Sequence, residues 1–306
     1  MDVSIIIVNY NTKDLLHNCV ESVYRETKEI NYEIIVVDNA SVDGSQEMVE
    51  TLFPKVKLIK SEENLGFGKA NNVAAKKATG KYLFLLNSDT ELKNNAVRLF
   101  YDFMEHYTHK NVGAVGGILL NDKNIAIHSF GKFPQLYRDL NNQIKFLIVN
   151  LIGREKYYNS MVKRRIDKTR KITTIDRDHF EVDYITGADL FLLKEVFTKF
   201  NGFDERFFMY YEETDLQLQM SRNSYKMYIL SSPKIYHLEQ GSFQKSIKQQ
   251  LLLDKSSFIF YKKNFNIVIY TIYRIFFHII HSLIFFDRNY TIKEKFLYIK
   301  YIIKNV

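Results

Sequence analysis

The chain has 306 residues, 46% hydrophobic and 25% charged, a composition that excludes a disordered tail or a fibrous repeat. Its single cysteine, Cys19, excludes a disulfide-stapled fold and a cysteine-based zinc site and points to a reducing, cytosolic setting. The net charge of +8 is local: residues 245–306 hold eleven Lys/Arg against three acids, and residues 1–244 balance at 32 of each, so no nucleic-acid partner is expected of the main body.

Short apolar runs alternate with helical patterns over the first 120 residues, the signature of βαβ units and a parallel sheet covered on both faces. Met1-Asp2-Val3-Ser4 lacks the basic segment of a secretion signal, and the apolar run after it is too short for one. The strands predicted are Val3–Asn9, Tyr32–Val37, Val56–Lys60, Tyr82–Leu86 and Val112–Ile118. Helices are predicted near Thr12–Arg25, Ser45–Leu52, Gly68–Ala78 and Asn94–Tyr107, with Ser45 as an N-cap and Gly80 ending the third. Residues 121–178 then read as a polar, basic, loop-rich insertion containing Lys163-Arg164-Arg165, either a flap over a site or a solvated excursion. Order returns with a strand Val182–Ile185, a turn at Gly187, an apolar helix Phe191–Phe200, a helix opening at Tyr211-Glu212-Glu213-Thr214-Asp215, and a short strand Met227–Leu230.

In a doubly wound sheet, ligands sit outside the carboxyl ends of the strands, so the residues just after each strand carry the functional reading. After the second comes Asp38-Asn39-Ala40-Ser41, with a carboxylate able to accept from a base N–H. After the third comes Asn64-Leu65-Gly66-Phe67-Gly68 through Asn71-Asn72, where glycines permit close backbone approach and a helix N-terminus attracts anions. After the fourth comes Asn87-Ser88-Asp89. Asn/Asp/Gly/Ser loops are also the ordinary way to leave a strand, but three in consecutive connections are a stronger signal than any one. Neither a G-x-G-x-x-G after the first strand nor a G-K-[ST] is present, which counts against dinucleotide-binding dehydrogenases and P-loop nucleotidases.

These motifs, with the opening Val8-Asn9-Tyr10-Asn11 and then Gly187-Ala188, Gly202-Phe203-Asp204-Glu205, Tyr211 to Leu216 and His237 with Gly241-Ser242, resemble family 2 glycosyltransferases of the GT-A fold, rhamnosyltransferase-like branch. The resemblance runs in order through residues 3–242. It implies an α/β, Rossmann-like, mixed but mainly parallel sheet with helices on both faces, to which the pattern beyond residue 244 adds C-terminal amphipathic helices. It implies a GT-A domain over 1–244, with a nucleotide-sugar half at 1–120 and an acceptor half at 121–244; the basic residues 245–306 that follow read from their own pattern as a membrane-association or dimerisation segment.

For the site, the resemblance implies that Asp38 reads the donor's pyrimidine beside Val8, Asn9 and Asn11. Asn64, Gly66, Asn71, Asn87 and Ser88 would line the donor nucleotide-sugar, a dTDP- or UDP-linked sugar. Asp89 and His237 would hold Mg²⁺ or Mn²⁺ against the diphosphate; Asn87 stands where the metal-binding signature begins with an acid, leaving fewer charged ligands. Glu212 or Glu213 would be the base that deprotonates the acceptor, with Gly187, Ala188 and Asp215 on the acceptor side, and single displacement would invert the anomeric centre. The implied reaction moves rhamnose or another hexose onto a glycan or lipid-linked acceptor in bacterial surface polysaccharide synthesis. The alternatives are a nucleotide-sugar-binding or membrane-scaffolding protein without turnover and a sugar-phosphate nucleotidylyltransferase; the latter's Gly-rich, Arg-containing loop is absent from Asn9-Tyr10-Asn11-Thr12.

From Phe265 to Phe286 sixteen of 22 residues are apolar, with Thr271, Arg274, His278 and His281 on one narrow helical stripe. Tyr290–Lys304 is amphipathic as well, with Lys293, Lys300 and Lys304 on one side. Together they read as a basic, aromatic platform for an anionic membrane surface on the cytoplasmic side, or as a homodimer contact.

Overall fold

The computed structural model describes residues 1–107, 111–152, 178–238 and 247–282, and residues 291–293, 295, 296, 298 and 300. Lys163-Arg164-Arg165 and Gly241-Ser242 lie outside the described residues, as do 283–290 and most of the Tyr290–Lys304 pattern beyond those seven residues. The chain divides into two compact units: Met1–Phe133 with Thr169–Phe208 and Glu212–Gly241, and Pro134–Lys168 with Met209–Tyr211 and Ser242–Val306. Residues 134–168 and 209–211 therefore group with the C-terminal segment.

In the first unit the elements run β1 (Val3–Asn9), α1 (Lys13–Glu26), β2 (Tyr32–Asp38), α2 (Ser45–Leu52), β3 (Lys57–Lys60), α3 (Phe67–Lys77), β4 (Tyr82–Asn87), β5 (Thr90–Leu92), α4 (Ala96–His106), β6 (Val112–Leu120) and β7 (Phe130–Gly131). After α5 (Leu136–Ile152), which belongs to the second unit, come β8 (His179–Val182), β9 (Tyr184–Ile185), β10 (Asp189–Leu193), α6 (Lys194–Lys199), α7 (Glu212–Arg222) and β11 (Lys226–His237). The second unit adds α8 (Ile247–Asn264) and α9 (Ile267–Ser282).

The main sheet has the order β3-β2-β1-β4-β10-β6-β11-β5, with β8 against β11. β1, β2, β3 and β4 are parallel, β6 pairs parallel with β11, and β10 runs antiparallel to β4 and β6. The β1 sequence is a β-branched run buried on both faces, as a central strand requires. Its alternation sends Ile5 and Ile7 into a core with Leu16, Val20, Phe84, Phe100 and Phe191, and Ile6 into a second core with Ala70, Ala74, Leu85, Leu190 and Phe203.

Several expectations change. The predicted helix Phe191–Phe200 is a strand over Asp189–Leu193 followed by the short α6; a short continuous apolar run suits a buried central strand as well as a helix, and the sheet decides. The predicted strand Met227–Leu230 is the first third of β11, which resumes after a register shift between Leu230 and Lys234, where Ser231, Ser232 and Pro233 hide the continuation. The insertion at 121–178 contains helix α5. The strand predicted over Val182–Ile185 divides at Asp183, whose carboxylate accepts from Phe133 N and Lys132 Nζ. Ser45 is the first residue of α2, and the cap is Gly44 at φ +82. α3 stops at Lys77; Gly80 serves a close approach, since a Cβ there would lie 2.4 Å from Ser4 N.

Candidate functional site

The sheet collects the candidate residues on one rim. The registers of β1 with β2 and β4 put Asn9 beside Asp38 and Val8 beside Asn87. β10 starts at the same end, with Asp189 opposite Leu86 and Ala188 O accepting from Asn87 N at 3.0 Å, which brings Gly187 and Ala188 to the end of β4. β11 arrives with His237 opposite Thr90, and Leu238 N donates to Asp89 O at 2.8 Å.

On the donor side the polar groups hold one another. Asp38 is fully buried; Asn9 Nδ2 donates to its Oδ2 at 2.9 Å, and Ser41 N and Gln46 Nε2 donate to its Oδ1 at 2.9 and 2.7 Å. A carboxylate with three protein donors organises the loop 38–45 that follows β2. Asn11, at φ +53, accepts from Val42 N at 2.8 Å and fixes the facing loop. Val8 is half-buried and Asn87 and Ser88 lie half-buried at the rim. Thr12, not singled out by its sequence context, donates to Asn9 Oδ1 at 2.6 Å and lies 3.0 Å from Ser88 Oγ, tying β1 to the Asn87–Asp89 turn.

The glycine loop is shaped by what it must pass. Gly66, at φ +78, has its N–H accepted by Asn64 Oδ1 at 2.9 Å, and a Cβ there would lie 2.1 Å from Phe208 O. Asn71 is buried and donates to Phe67 O at 3.0 Å within its own helix. Asn72 accepts from Phe203 N at 2.9 Å and donates to Phe203 O at 2.8 Å, fastening α3 to the Gly202–Phe203 turn.

The acidic pair is drawn to the same loops. A Cβ on Gly68 would lie 3.4 Å from Glu212 Cβ, and one on Gly187 would lie 3.1 Å from Phe67 Cε1 and 4.0 Å from Glu213 Cβ. Glu212 is buried and Glu213 half-buried, with Tyr210 and Tyr211 both at φ +71 just before them, a conformation costing bulky residues about 1–3 kcal/mol each and characteristic of functional segments. Burial pushes the Glu213 carboxyl up to about 7, against partial relief from its own and Thr214's N–H and the Thr214 hydroxyl. Gln217, another residue the sequence reading passed over, locks α7 by exchanging two bonds of 2.8 Å with the Ile185 backbone. Asp215 is 1% exposed and accepts from Gln219 Nε2 at 2.9 Å, in the first turn of α7 where acids are favoured.

Asp89 Oδ1 and His237 Nε2 stand 3.1 Å apart, a carboxylate oxygen and an imidazole nitrogen brought together from the turn between β4 and β5 and from the end of β11. Among the described residues no group of three or more His, Cys, Asp or Glu side chains forms a metal cluster. Two protein donors still suit a hard divalent cation that shares its remaining positions with diphosphate oxygens and water.

The family pattern described as glycosyl transferase family 2 matches residues 4–169, more than half of the chain. The chain belongs to that family. This family 2 glycosyltransferase is 20% identical over 239 residues to the N-acetylglucosaminyl-diphospho-decaprenol L-rhamnosyltransferase of Mycobacterium tuberculosis (strain CDC 1551 / Oshkosh), covering 74% of this chain and 73% of that one. Among solved structures it is similar to the mannosyltransferase PcManGT from Pyrobaculum calidifontis in complex with GDP-Man and Mn²⁺, at a TM-score of 0.55 and 15% identity, over 85% of this chain and 63% of the other. S. aureus TarS 1–349 in complex with UDP matches at a TM-score of 0.55 and 15% identity, over 100% of this chain and 81% of the other. The glycosyltransferase therefore has the GT-A fold, and it spans less than two thirds of PcManGT.

Proposed function

We propose that this family 2 member is an inverting glycosyltransferase that moves a sugar from a nucleoside diphosphate to a hydroxyl of a glycan or lipid-linked acceptor in bacterial polysaccharide synthesis, with Glu213 as the base. What supports this reading is the Asp89–His237 pair, 3.1 Å apart, together with Glu212 against Gly68 at the start of α3 and Glu213 near the Gly187 turn, which leads to the end of β4 through the Asn87 N to Ala188 O bond. Rhamnose as the sugar and a lipid-linked acceptor are supported by the name of the mycobacterial relative.

The choice of Glu213 over Glu212 rests on two properties. It is the more exposed of the two, and its raised carboxyl pKa matches a base working near neutral pH. In the reaction Glu213 takes the proton of the acceptor hydroxyl while the acceptor oxygen forms its bond to the sugar's C1. The bond from C1 to the diphosphate breaks with its electron pair on the leaving phosphate, and attack from the opposite face inverts the centre. Asp89 and His237 would hold Mg²⁺ or Mn²⁺, which when bound supplies a Lewis acid at the diphosphate. Asn9, Thr12 and Ser88 hold that rim in register, and Asp38 with its three donors gives the nucleotide a formed loop to bind.

The test is a panel of dTDP- and UDP-sugars scored for thermal stabilisation with and without Mn²⁺, followed by NMR of the product. A metal-dependent rise with one donor and an inverted product supports the reading. Retained configuration, or turnover unchanged when Glu212 and Glu213 are both replaced by Gln, would sink it.

A further inference from the structure

Among the described residues, the C-terminal unit exposes an apolar face of α9 beside the face it packs. α9 buries Tyr273, Phe277 and Ile280, and Phe258 of α8 meets the rings of Tyr273 at 5.4 Å and Phe277 at 4.5 Å. Tyr261 stacks on Tyr273 at 3.8 Å, and the polar atoms beneath are matched: Tyr273 donates to Ser257 Oγ at 2.8 Å and Tyr298 to Asp254 Oδ2 at 2.6 Å. That face is a finished core.

Elsewhere around the helix, Val268, Ile272, Ile275, Phe276 and Ile279 fall at i, i+4, i+7, i+8 and i+11, which is one continuous stripe. They are exposed at 62%, 37%, 51%, 39% and 56%, and Ile267 beside them at 72%. The concentration decides that this is not ordinary surface: this one helix exposes six large apolar side chains, and all the described residues of the first unit expose five, scattered singly from Met1 to Ile125. Thr271, Arg274 and His278 occupy a third sector between the stripe and the core, so the stripe has a polar border. Burial, with Arg274 nearby, lowers the His278 pKa, leaving Arg274 as the cation of that border near neutral pH.

We propose that this stripe of α9 lies in the interface of an anionic lipid bilayer, with the helix parallel to the surface. Two observations choose this occupant over a second copy of the chain. The stripe belongs to the segment that holds the whole excess charge, eleven Lys/Arg against three acids, so a copy would bring like charge and an anionic lipid surface the opposite. Lys262, Arg274, Lys293 and Lys300 of this unit are exposed. The polar border that Thr271, Arg274 and His278 give the stripe is what a helix lying flat in a bilayer interface presents to the head groups, and among the described residues no helix is long and apolar enough to cross a membrane. The inference gives the lipid-linked acceptor a surface to be met on, but it does not depend on that reading.

The test is cosedimentation of the full chain with vesicles of phosphatidylcholine alone or mixed with phosphatidylglycerol, beside a V268E/I272E/I275E variant, with no donor or acceptor present. The wild type is expected to sediment with the anionic vesicles, release as salt is raised, and bind at least tenfold more tightly than the variant. Thermal stabilisation by the donor nucleotide, unchanged in the variant, will show that its first unit is intact. Absent sedimentation, equal sedimentation of the variant, or a dimer that the variant dissolves would each overturn the proposal. Because the vesicles hold no acceptor, such a failure leaves the reading of the reaction untouched.

Discussion

Replacing Glu213 by Gln exchanges a desolvated carboxyl for a neutral group of nearly the same shape, and the structure sets the sign of both consequences. With the carboxyl at about 7, about one molecule in eleven carries the base form at pH 6 and about ten in eleven at pH 8, a roughly tenfold rise. The wild-type kcat/KM is therefore expected to climb about tenfold between those values. An ordinary glutamate would give a flat profile there. Loss of the base is expected to lower kcat/KM by about 10²–10⁴.

Stability moves the other way. A carboxyl whose folded pKa is raised contributes stability present in full below its unfolded value of 4.5 and lost as pH rises to about 7. Two and a half units correspond to about 3 kcal/mol at most, so above pH 7 the variant is expected to be more stable by up to about that amount. Steady-state rates with one nucleotide sugar across pH 5.5–8.5, together with thermal melts of both proteins at pH 8, measure the two effects. A profile flat between pH 6 and 8, or a variant that melts lower while keeping wild-type turnover, would refute the assignment of Glu213 and the burial argument behind it.

Three further outcomes are expected. Gly66→Ala should lower stability by about 2–4 kcal/mol in denaturant titration, because its Cβ would sit 2.1 Å from Phe208 O at a φ of +78, and donor binding should weaken with it. Glu33 accepts from Ser4 Oγ, Thr79 N and Oγ1 and Lys57 Nζ, which outweigh its burial and hold its carboxyl at about 2. That stability, about 3 kcal/mol, is present above pH 4.5 and lost as pH falls toward 2, and acid unfolding of Glu33→Gln should lack this component. Asp89→Ala and His237→Ala should each remove most of the extra thermal shift that Mn²⁺ adds to donor binding; a shift kept intact in both would place the cation elsewhere.

Much of the first unit could be read from the chain because its signals are local. The apolar runs of β1, β2 and β4 and the loops that follow them announce both the parallel sheet and its rim, as the strand ends at Asn9, Asp38 and Asn87 bear out. β10 was not legible, because Asp189–Leu193 has the same apolar content as a helical turn and only its place between β4 and β6 makes it a strand. The end of β11 was hidden by Pro233 and its serines, although it delivers His237.

What the sequence determined by itself, then, is the family and the sheet, with the residue types of a candidate site, since periodicity and turn chemistry act over a few neighbours. Tertiary structure decided which of those residues meet. It turned Asp38 and Asn71 inward to protein partners, brought Asp89 to His237, and set Glu213 where burial lifts its proton affinity. Desolvation and hydrogen-bond partnership depend on segments far apart in the chain, so they exist only once the fold has closed.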